Sequence, residues 1–98
     1  MDEQLELITA GEFLQEEFLE PFGVSQNGLA KAIGVPPSRV NDILKGRRRI
    51  NGEFAVLLSE FFGTSEKMWL NLQIDYDLKS ARREFEKSGK TVQAYQAA

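Results

Sequence analysis

Residues 25–49 read SQNGLAKAIGVPPSRVNDILKGRRR, and this stretch decides the fold because it predicts two short helices joined by a very tight turn. Counting from Gln26 as the first position, positions five, nine, fifteen and eighteen are held by Ala30, Gly34, Val40 and Ile43. The residue at position five has to be small because the second helix passes directly over it, and the residue at position nine has to accept a positive φ. The last two residues are expected to fill the angle between the helices. The segment therefore predicts a helix-turn-helix unit over about residues 26–45.

Helical periodicity continues through the rest of the chain, and no long stretch alternates as a β-strand does. The expected N-caps or first residues of five helices are, in chain order, Thr9, Ser25, Pro37, Asn51 and Ser65. The expected helix ends are marked by Gly23, Gly34, Gly46 and Gly63. The apolar stripe of the fifth helix thins from Lys79, and the segment after Gly89 is expected to be a frayed helix or a tail. The sequence therefore predicts an all-α domain over residues 1–78, followed by a C-terminal helical extension and tail over residues 79–98.

The composition favours one domain that acts by binding. The chain has 98 residues, of which 42% are apolar and 28% charged, so a single core is expected. Cys and His are both absent, which removes disulfides, thiolate metal ligands, the commonest metal ligand and the commonest general base. The acidic pairs Glu16/Glu17 and Asp75/Asp77 have no such partner and no glycine-rich phosphate loop beside them. We therefore predict no catalytic residue, no metal site, no cofactor and no small-molecule substrate, and we do not expect an enzyme.

The sequence also lacks membrane and export signals. No apolar run approaches the roughly 20 residues that span a membrane. The acidic start at Met1–Glu6 has neither the positive region nor the apolar region of a signal peptide. These observations predict a cytoplasmic protein with no membrane partner.

Charge is distributed in blocks along the chain, although the net charge is only −3. Residues 1–22 carry −7, residues 23–50 carry +5, residues 51–77 carry −4 and residues 78–98 carry +3. A basic segment inside an acidic protein is typical of a site that meets phosphate while the remaining surface avoids it. A solvated run of charges has the same composition, so a helical protein-interaction adaptor stays open as an alternative.

The outer face of the third helix carries the candidate base contacts. Because Val40, Ile43 and Leu44 are expected to face the core, the rotation of about 100° per residue leaves a polar face on the other side. This face has Ser38, Asp42 and Lys45 at its centre and Arg39 and Asn41 at its flanks. Arginine can bridge the O6 and N7 atoms of guanine, asparagine can pair with adenine, and aspartate can accept from cytosine N4. The pattern predicts base recognition in the major groove, although any exposed helix face has to be polar.

Phosphate contacts are expected at both ends of this unit. Three successive arginines, Arg47, Arg48 and Arg49, follow the third helix, where their guanidinium groups can clamp the flanking phosphates. Gln26 and Asn27 start the second helix, where backbone N–H groups bind anions. The sequence does not rank the three arginines, and packing of one arginine stem on the core stays open.

Two long strings resemble the HigA-type antitoxins of bacterial toxin–antitoxin modules, within the broader Xre and lambda-repressor-like helix-turn-helix class. They are GEFLQEEFLEPFGVSQNGLAKAIGVPPSRVNDILKGRRRI at residues 11–50 and FGTSEKMWLNLQIDYDL at residues 62–78, and the resemblance spans about residues 9–78. The chain departs from the usual pattern at Ala10, where a Pro often precedes the Gly, and at Pro36, where a capping Ser or Thr is common. Neither residue belongs to the predicted DNA-facing set.

The resemblance implies a five-helix lambda-repressor-like fold and a specific function. It implies an antitoxin that dimerises, binds operator DNA, represses its own operon and neutralises a HigB-type ribonuclease that cleaves messenger RNA during translation. A stand-alone Xre-type transcriptional repressor without a toxin is the alternative within the same class.

The fifth helix has apolar residues on more than one side. Trp69, Leu72 and Tyr76 form a stripe at helical spacing, which is typical of core packing. The other side, with Met68, Ile74 and Leu78, would stay exposed in so short a chain unless a second copy covers it. We predict a homodimer whose interface is drawn from Met68, Trp69, Leu72, Ile74, Tyr76 and Leu78. Core packing of the stripe stays open as the other interpretation.

The acidic block at residues 1–22 contains no basic residue. Its helical part includes Glu12, Glu16, Glu17 and Glu20. These carboxylates suit a solvated helix face, because negative charge near a helix N-terminus is stabilising. They also suit a docking surface for a basic, RNA-cleaving toxin, whose phosphate-binding groups would meet carboxylates instead. Both interpretations stay open at this level.

Overall fold

The computed structural model describes residues 7–96, and these residues form five helices and no strand. Helices α2 to α5 span, in order, Gln26–Ile33, Pro37–Leu44, Gly52–Phe62 and Glu66–Ser88. Helix α1 runs through three consecutive segments, Ala10–Leu14, Gln15–Leu19 and Glu20–Phe22, of which the middle one is π-helical. The predicted all-α class with five helices is confirmed. The acidic start at residues 1–6 and the last residues, 97–98, lie outside the described range.

The helices begin at the predicted capping residues. Thr9 and Glu12 form a capping box, in which each backbone N–H donates to the other residue's side-chain oxygen at 3.0 Å. In the same way Ser25, Asn51 and Ser65 accept from the backbone N–H three residues on, at 2.9, 2.9 and 3.0 Å. Pro37 is the first residue of α3, where its missing N–H costs nothing. Local chemistry therefore fixes where each helix starts.

Helices α2 and α3 pack closely because the residue at their crossing point, Ala30, has only a methyl group as its side chain. Ala30 is 1% exposed, and Val40 and Ile43 are fully buried beside it. Gly34 ends α2 with a φ of +76°, a left-handed conformation that a Cβ would strain. The N–H groups of Gly34 and Val35 both donate to the Ala30 carbonyl, at 2.9 and 3.0 Å. The tight turn between α2 and α3 thus lies at the predicted residues.

Trp69, at the start of α5, lies at the centre of the core. Its side chain is 0% exposed, and its Nε1–H donates to Thr64 Oγ1 at 2.7 Å. Its ring lies 5.0 Å from the Phe18 ring and 6.2 Å from the Phe13 ring, centroid to centroid. Trp69 therefore has no surface to offer a second copy, and its assignment to the dimer interface is wrong. Trp69 packs in the core, as the other interpretation of the stripe predicted.

The π-helical segment of α1 explains how two rings reach Trp69 from one helix. Phe13 and Phe18 are five residues apart, which in a regular α-helix places two side chains about 140° apart around the axis. The wider π-helical turn brings the two rings to within 6.0 Å of each other. Both rings then pack against the indole, so α1 covers the start of α5.

Helix α1 also meets the end of α3 at Gly11, which is buried. A Cβ built on Gly11 would lie 1.9 Å from the carbonyl oxygen of Ile43 and 3.0 Å from the Cα of Leu44. Both of these atoms are backbone atoms, so no side-chain rotation could make room. The two helices can approach this closely only because residue 11 has no side chain, and the contact holds the C-terminal end of α3.

Helix α5 is 23 residues long, and its buried residues are Trp69 and Gln73. Beyond them Ile74 and Leu78 are 51% and 65% exposed. The helix continues without a break across the predicted boundary between residues 78 and 79, and Gly89 caps its end. Residues 90–96 have no regular secondary structure. Among residues 7–96, no helix has both the length and the apolar character needed to cross a membrane.

The Gly11→Ala substitution should destabilise the protein, because the added methyl group has to push α1 and α3 apart. We expect the free energy of unfolding to fall by about 1–3 kcal/mol, measured by urea unfolding. Gly52→Ala is the matched control, since Gly52 begins α4 and a Cβ there meets nothing within 4 Å. The control should be neutral or stabilising by up to about 1 kcal/mol. Equal effects of the two substitutions would contradict the close contact at Gly11.

Candidate nucleic-acid interface

The outer face of α3 forms the candidate base-reading surface. Ser38 and Lys45 are exposed, and Asn41 and Asp42 are half-buried. The opposite face is anchored in the core by Val40 and Ile43, so α3 has a fixed orientation on the domain. Arg39 is half-buried as well, and it differs from the other four predicted face residues because its side chain packs against α4.

Asn41 is held by partners on both sides of its amide group. Its Nδ2 donates to Gln26 Oε1 at 3.3 Å, and its Oδ1 accepts from Arg47 Nη2 at 3.0 Å. The side chain thus links the first turn of α2, helix α3 and the loop that follows α3. One N–H and one lone pair of the amide remain to be used, which is the pair of groups that an adenine edge requires. Gln26 therefore positions a candidate base contact in addition to marking the start of α2.

Arg39 folds back from the candidate base-reading surface. Its guanidinium carbon lies 5.6 Å from the centroid of the Phe54 ring, and its Nη2 lies 3.4 Å from Glu53 Oε1. The side chain is only 19% exposed, and its buried Nε–H has no hydrogen-bond partner among the described residues. A base contact by Arg39 would require the side chain to leave the first turn of α4.

The three arginines after α3 have three different environments. Gly46 turns the chain with a φ of +78°, and the N–H groups of Arg47 and Arg48 donate to the Asp42 carbonyl at 2.8 and 3.2 Å. The Arg47 guanidinium pairs with Asp42, with 3.3 Å between Nε and Oδ1, while Arg49 forms an ion pair with Asp77 of α5. Arg48 is exposed and forms no side-chain hydrogen bond or ion pair with any described residue. Arg48 is thus the arginine of this loop that is free to meet a phosphate.

Gln73, a residue that the sequence interpretation did not single out, holds this loop on α5 together with Asp77. The buried Gln73 accepts a hydrogen bond from the Ile50 N–H at 2.8 Å and donates to Asp77 Oδ1 at 3.0 Å. Gln73 lies one helical turn after Trp69, on the buried side of α5. A polar residue at a buried position signals a hydrogen-bond partner, so the pattern could have indicated Gln73. The partner itself depends on how α5 packs and is not encoded locally.

The other predicted residues are accessible to different degrees. Asn27 is exposed in the first turn of α2 and Gln26 is half-buried. Of the predicted dimer residues, Ile74 and Leu78 are exposed, while the half-buried ones are Met68, Leu72 and Tyr76.

Of the predicted toxin-binding residues, Glu12 is used in the capping box, and the freely exposed ones include Glu16 and Glu17. Within residues 7–96, no group of three or more acidic residues is placed to hold a metal ion.

Comparison with known proteins places this geometry among DNA-binding regulators. The Helix-turn-helix family matches residues 16–69 of this chain. Virulence-associated protein I of Dichelobacter nodosus is 43% identical over 81 residues, which cover 83% of this chain and 75% of that protein. Antitoxin HigA-1 of Vibrio cholerae serotype O1 is 33% identical over 85 residues, which cover 87% of this chain and 80% of that protein.

A solved structure extends the likeness to three dimensions. The structure of the Pseudomonas aeruginosa antitoxin HigA with the higBA promoter matches this fold with a TM-score of 0.79 at 40% sequence identity. The match covers 83% of this chain and 88% of that chain. It therefore includes the helix-turn-helix unit and the domain that supports it.

Substitutions at Asn41 and Arg48 should separate base contacts from phosphate contacts. Asn41→Ala should cost about 1–3 kcal/mol of binding free energy on a duplex from the chain's own upstream region and much less on a scrambled duplex. Arg48→Ala should weaken binding to both duplexes and make the slope of log K against log salt shallower by about 0.9. Fluorescence anisotropy at several salt concentrations measures both effects. Equal losses on the two duplexes for Asn41→Ala would place base recognition elsewhere.

Proposed function

Because this chain belongs to the HigA-type antitoxins of the helix-turn-helix family, we propose that it binds operator DNA as a homodimer, represses its own operon and neutralises a HigB-type ribonuclease. The observation that carries the proposal is the accessible polar face of α3, with Asn41 held by Gln26 and, in the loop after the helix, Arg48, which pairs with no described residue. The protein acts by binding rather than by catalysis, and it acts in the cytoplasm, where an operon is transcribed.

The DNA-binding part of the proposal follows from the chemistry of this face. Ser38, Asn41 and Lys45 present a hydroxyl, an amide and an ammonium group to a major groove, which together can meet base edges and phosphates. Arg48 then contacts the backbone beside the groove and fixes the register of α3 on the duplex. The related HigA structure contains promoter DNA, which supports the proposal that this chain binds operator DNA.

The homodimer is proposed to form through the exposed apolar side of α5. Ile74 and Leu78 are one helical turn apart and more than half exposed, so together they form an apolar strip on a projecting helix. A twofold axis beside this strip would bury both residues in each copy. For the two α3 helices of the dimer to enter successive major grooves, this axis has to place them about 34 Å apart, which is one turn of DNA.

The toxin is proposed to dock on the acidic side of α1. Glu16 and Glu17 are exposed in the π-helical segment, and Glu20 follows them. A ribonuclease needs basic groups to hold RNA phosphates, and carboxylates can occupy those groups in a protein complex. Glu12 contributes less, because its carboxylate already accepts from the Thr9 N–H.

Leu78→Asp should weaken the proposed dimer, because a carboxylate on the apolar strip would be buried without a partner. We expect sedimentation equilibrium to show a shift toward monomer and operator affinity to fall at least tenfold, since one half-site contact is lost. Val92→Asp is the matched control, because Val92 is 73% exposed and lies beyond the end of α5. A Leu78→Asp protein that remains fully dimeric would rule out this side of α5 as the interface.

Reversing the charges of Glu16 and Glu17 should weaken toxin binding and spare operator binding. The wild-type chain, co-expressed with the product of the adjacent gene, is expected to rescue growth and to co-purify with that product. Glu16→Lys/Glu17→Lys should lose at least tenfold in toxin affinity in a titration, while operator affinity changes little.

The paired substitution Glu84→Lys/Glu86→Lys on α5 makes the same change in net charge and serves as the control. A loss of toxin affinity confined to this second variant would move the interface to α5. Failure of the wild-type chain both to rescue growth and to co-purify would leave a stand-alone repressor.

A further inference from the structure

A chain of hydrogen bonds ties the arginine loop to α5. The Ile50 N–H donates to Gln73 Oε1 at 2.8 Å, and Gln73 Nε2 donates to Asp77 Oδ1 at 3.0 Å. The second carboxylate oxygen of Asp77 accepts from Arg49 Nη2. Gln73 is only 7% exposed, so its orientation is fixed by burial as well as by the Ile50 N–H. Gln73 therefore holds the Asp77 carboxylate in place independently of the ion pair between Asp77 and Arg49.

Acidic partners are distributed unevenly among the arginines near the candidate DNA face. Arg39 pairs with Glu53, Arg47 with Asp42 and Arg49 with Asp77, whereas Arg48 pairs with no described residue. Asp42 belongs to α3 and to its predicted base-reading face, and Glu53 lies in the first turn of α4. Asp77 belongs to a different helix, and the sequence interpretation gave it no role at the DNA face. Its position beside Arg49 follows from the packing of α5 alone.

A carboxylate in this position changes how an arginine can interact with DNA. Sequence-independent binding depends on the number of phosphates that basic side chains neutralise, and each phosphate adds about −0.9 to the slope of log K against log salt. A guanidinium that is already paired with a fixed carboxylate adds little net charge, and the carboxylate repels an approaching phosphate. The Arg49 side chain is 57% exposed and the Asp77 side chain is 41% exposed, so a DNA phosphate can reach both groups from the solvent.

We propose that Asp77, oriented by Gln73, occupies Arg49 and so restrains the binding of this protein to DNA of arbitrary sequence. Arg49 then makes no phosphate contact while it is paired with Asp77, whereas Arg48 does make one. The packing of α5 is what distinguishes these two adjacent arginines. This inference rests on the proposed operator binding, since restraint of sequence-independent affinity matters for a protein that has to find one site among many. It makes Asp77 a positioning residue for DNA binding.

The test compares Asp77→Asn with Asp75→Asn on a scrambled duplex. Asp77→Asn is isosteric and keeps an oxygen that can accept from Gln73, so the fold is expected to be retained. Asp75→Asn makes the same change in charge on the same helix, at a residue that is 71% exposed and lies 4.0 Å from Lys79. We expect Asp77→Asn to increase affinity for the scrambled duplex more than Asp75→Asn does and to steepen the salt slope by about 0.9, while Asp75→Asn leaves the slope unchanged.

A double variant shows whether Arg49 is responsible. Arg49→Gln/Asp77→Asn should return the salt slope to the wild-type value, because the released guanidinium is no longer there. Asp77→Ala repeats the test with a truncated side chain and should give the same steeper slope, and thermal unfolding verifies that each variant is folded. A slope for Asp77→Asn that equals that of Asp75→Asn, or a steeper slope that persists in the double variant, would overturn the proposal.

The outcome is independent of operator recognition. If the wild-type chain binds its upstream region no better than the scrambled duplex, the proposed function fails. The salt slopes on the scrambled duplex still decide whether Asp77 restrains Arg49. If the operator is recognised and the slopes do not differ, this inference alone fails.

Discussion

The contact at Ala30 is the constraint on which the rest of the structure depends. Because this residue is small and buried, α3 can cross directly over α2, and two short helices then share one orientation. The C-terminal end of α3 is fixed by its backbone contact with α1 at Gly11, and the loop that follows is fixed by the hydrogen bond from the Ile50 N–H to Gln73. The position of the candidate base-reading surface is therefore set by residues that do not belong to it. Its side chains are free to differ without moving the helix.

The ion pairs beside α3 bear on DNA binding more than on folding stability. Exposed ion pairs contribute little to folding stability, so the carboxylates beside Arg39, Arg47 and Arg49 matter more for what these arginines can bind. The basic block seen in the sequence is thus smaller in the folded chain than its formal charge suggests. Base contacts gain relative importance when fewer phosphates are neutralised, which is the balance that a sequence-specific regulator requires.

Local chemistry made most of the fold predictable from the sequence. Capping at Thr9, Ser25 and Ser65 and the turn at Gly34 each depend on neighbours within a few residues, so the helix starts and the crossing follow directly. Features that depend on distant packing did not follow. Arg39 was expected on the base-reading face, but Phe54 and Glu53 of α4 draw it back.

The sequence could not decide between core packing and a dimer interface for the apolar residues of α5, because that choice also depends on distant packing. Trp69 and Leu78 both lie at apolar helical positions, and only the packing of α1 decides that the first is buried and the second exposed. The π-helical segment that achieves this packing also divides α1 into two stretches with different helical phase. Loss of one residue between Gln15 and Leu19 would leave Phe13 and Phe18 four residues apart, about 40° around a regular α-helix, so the residues after the deletion would keep nearly the same face. This stretch of α1 should therefore tolerate a one-residue deletion better than an unbroken α-helix would, where the same deletion rotates all later residues by about 100°.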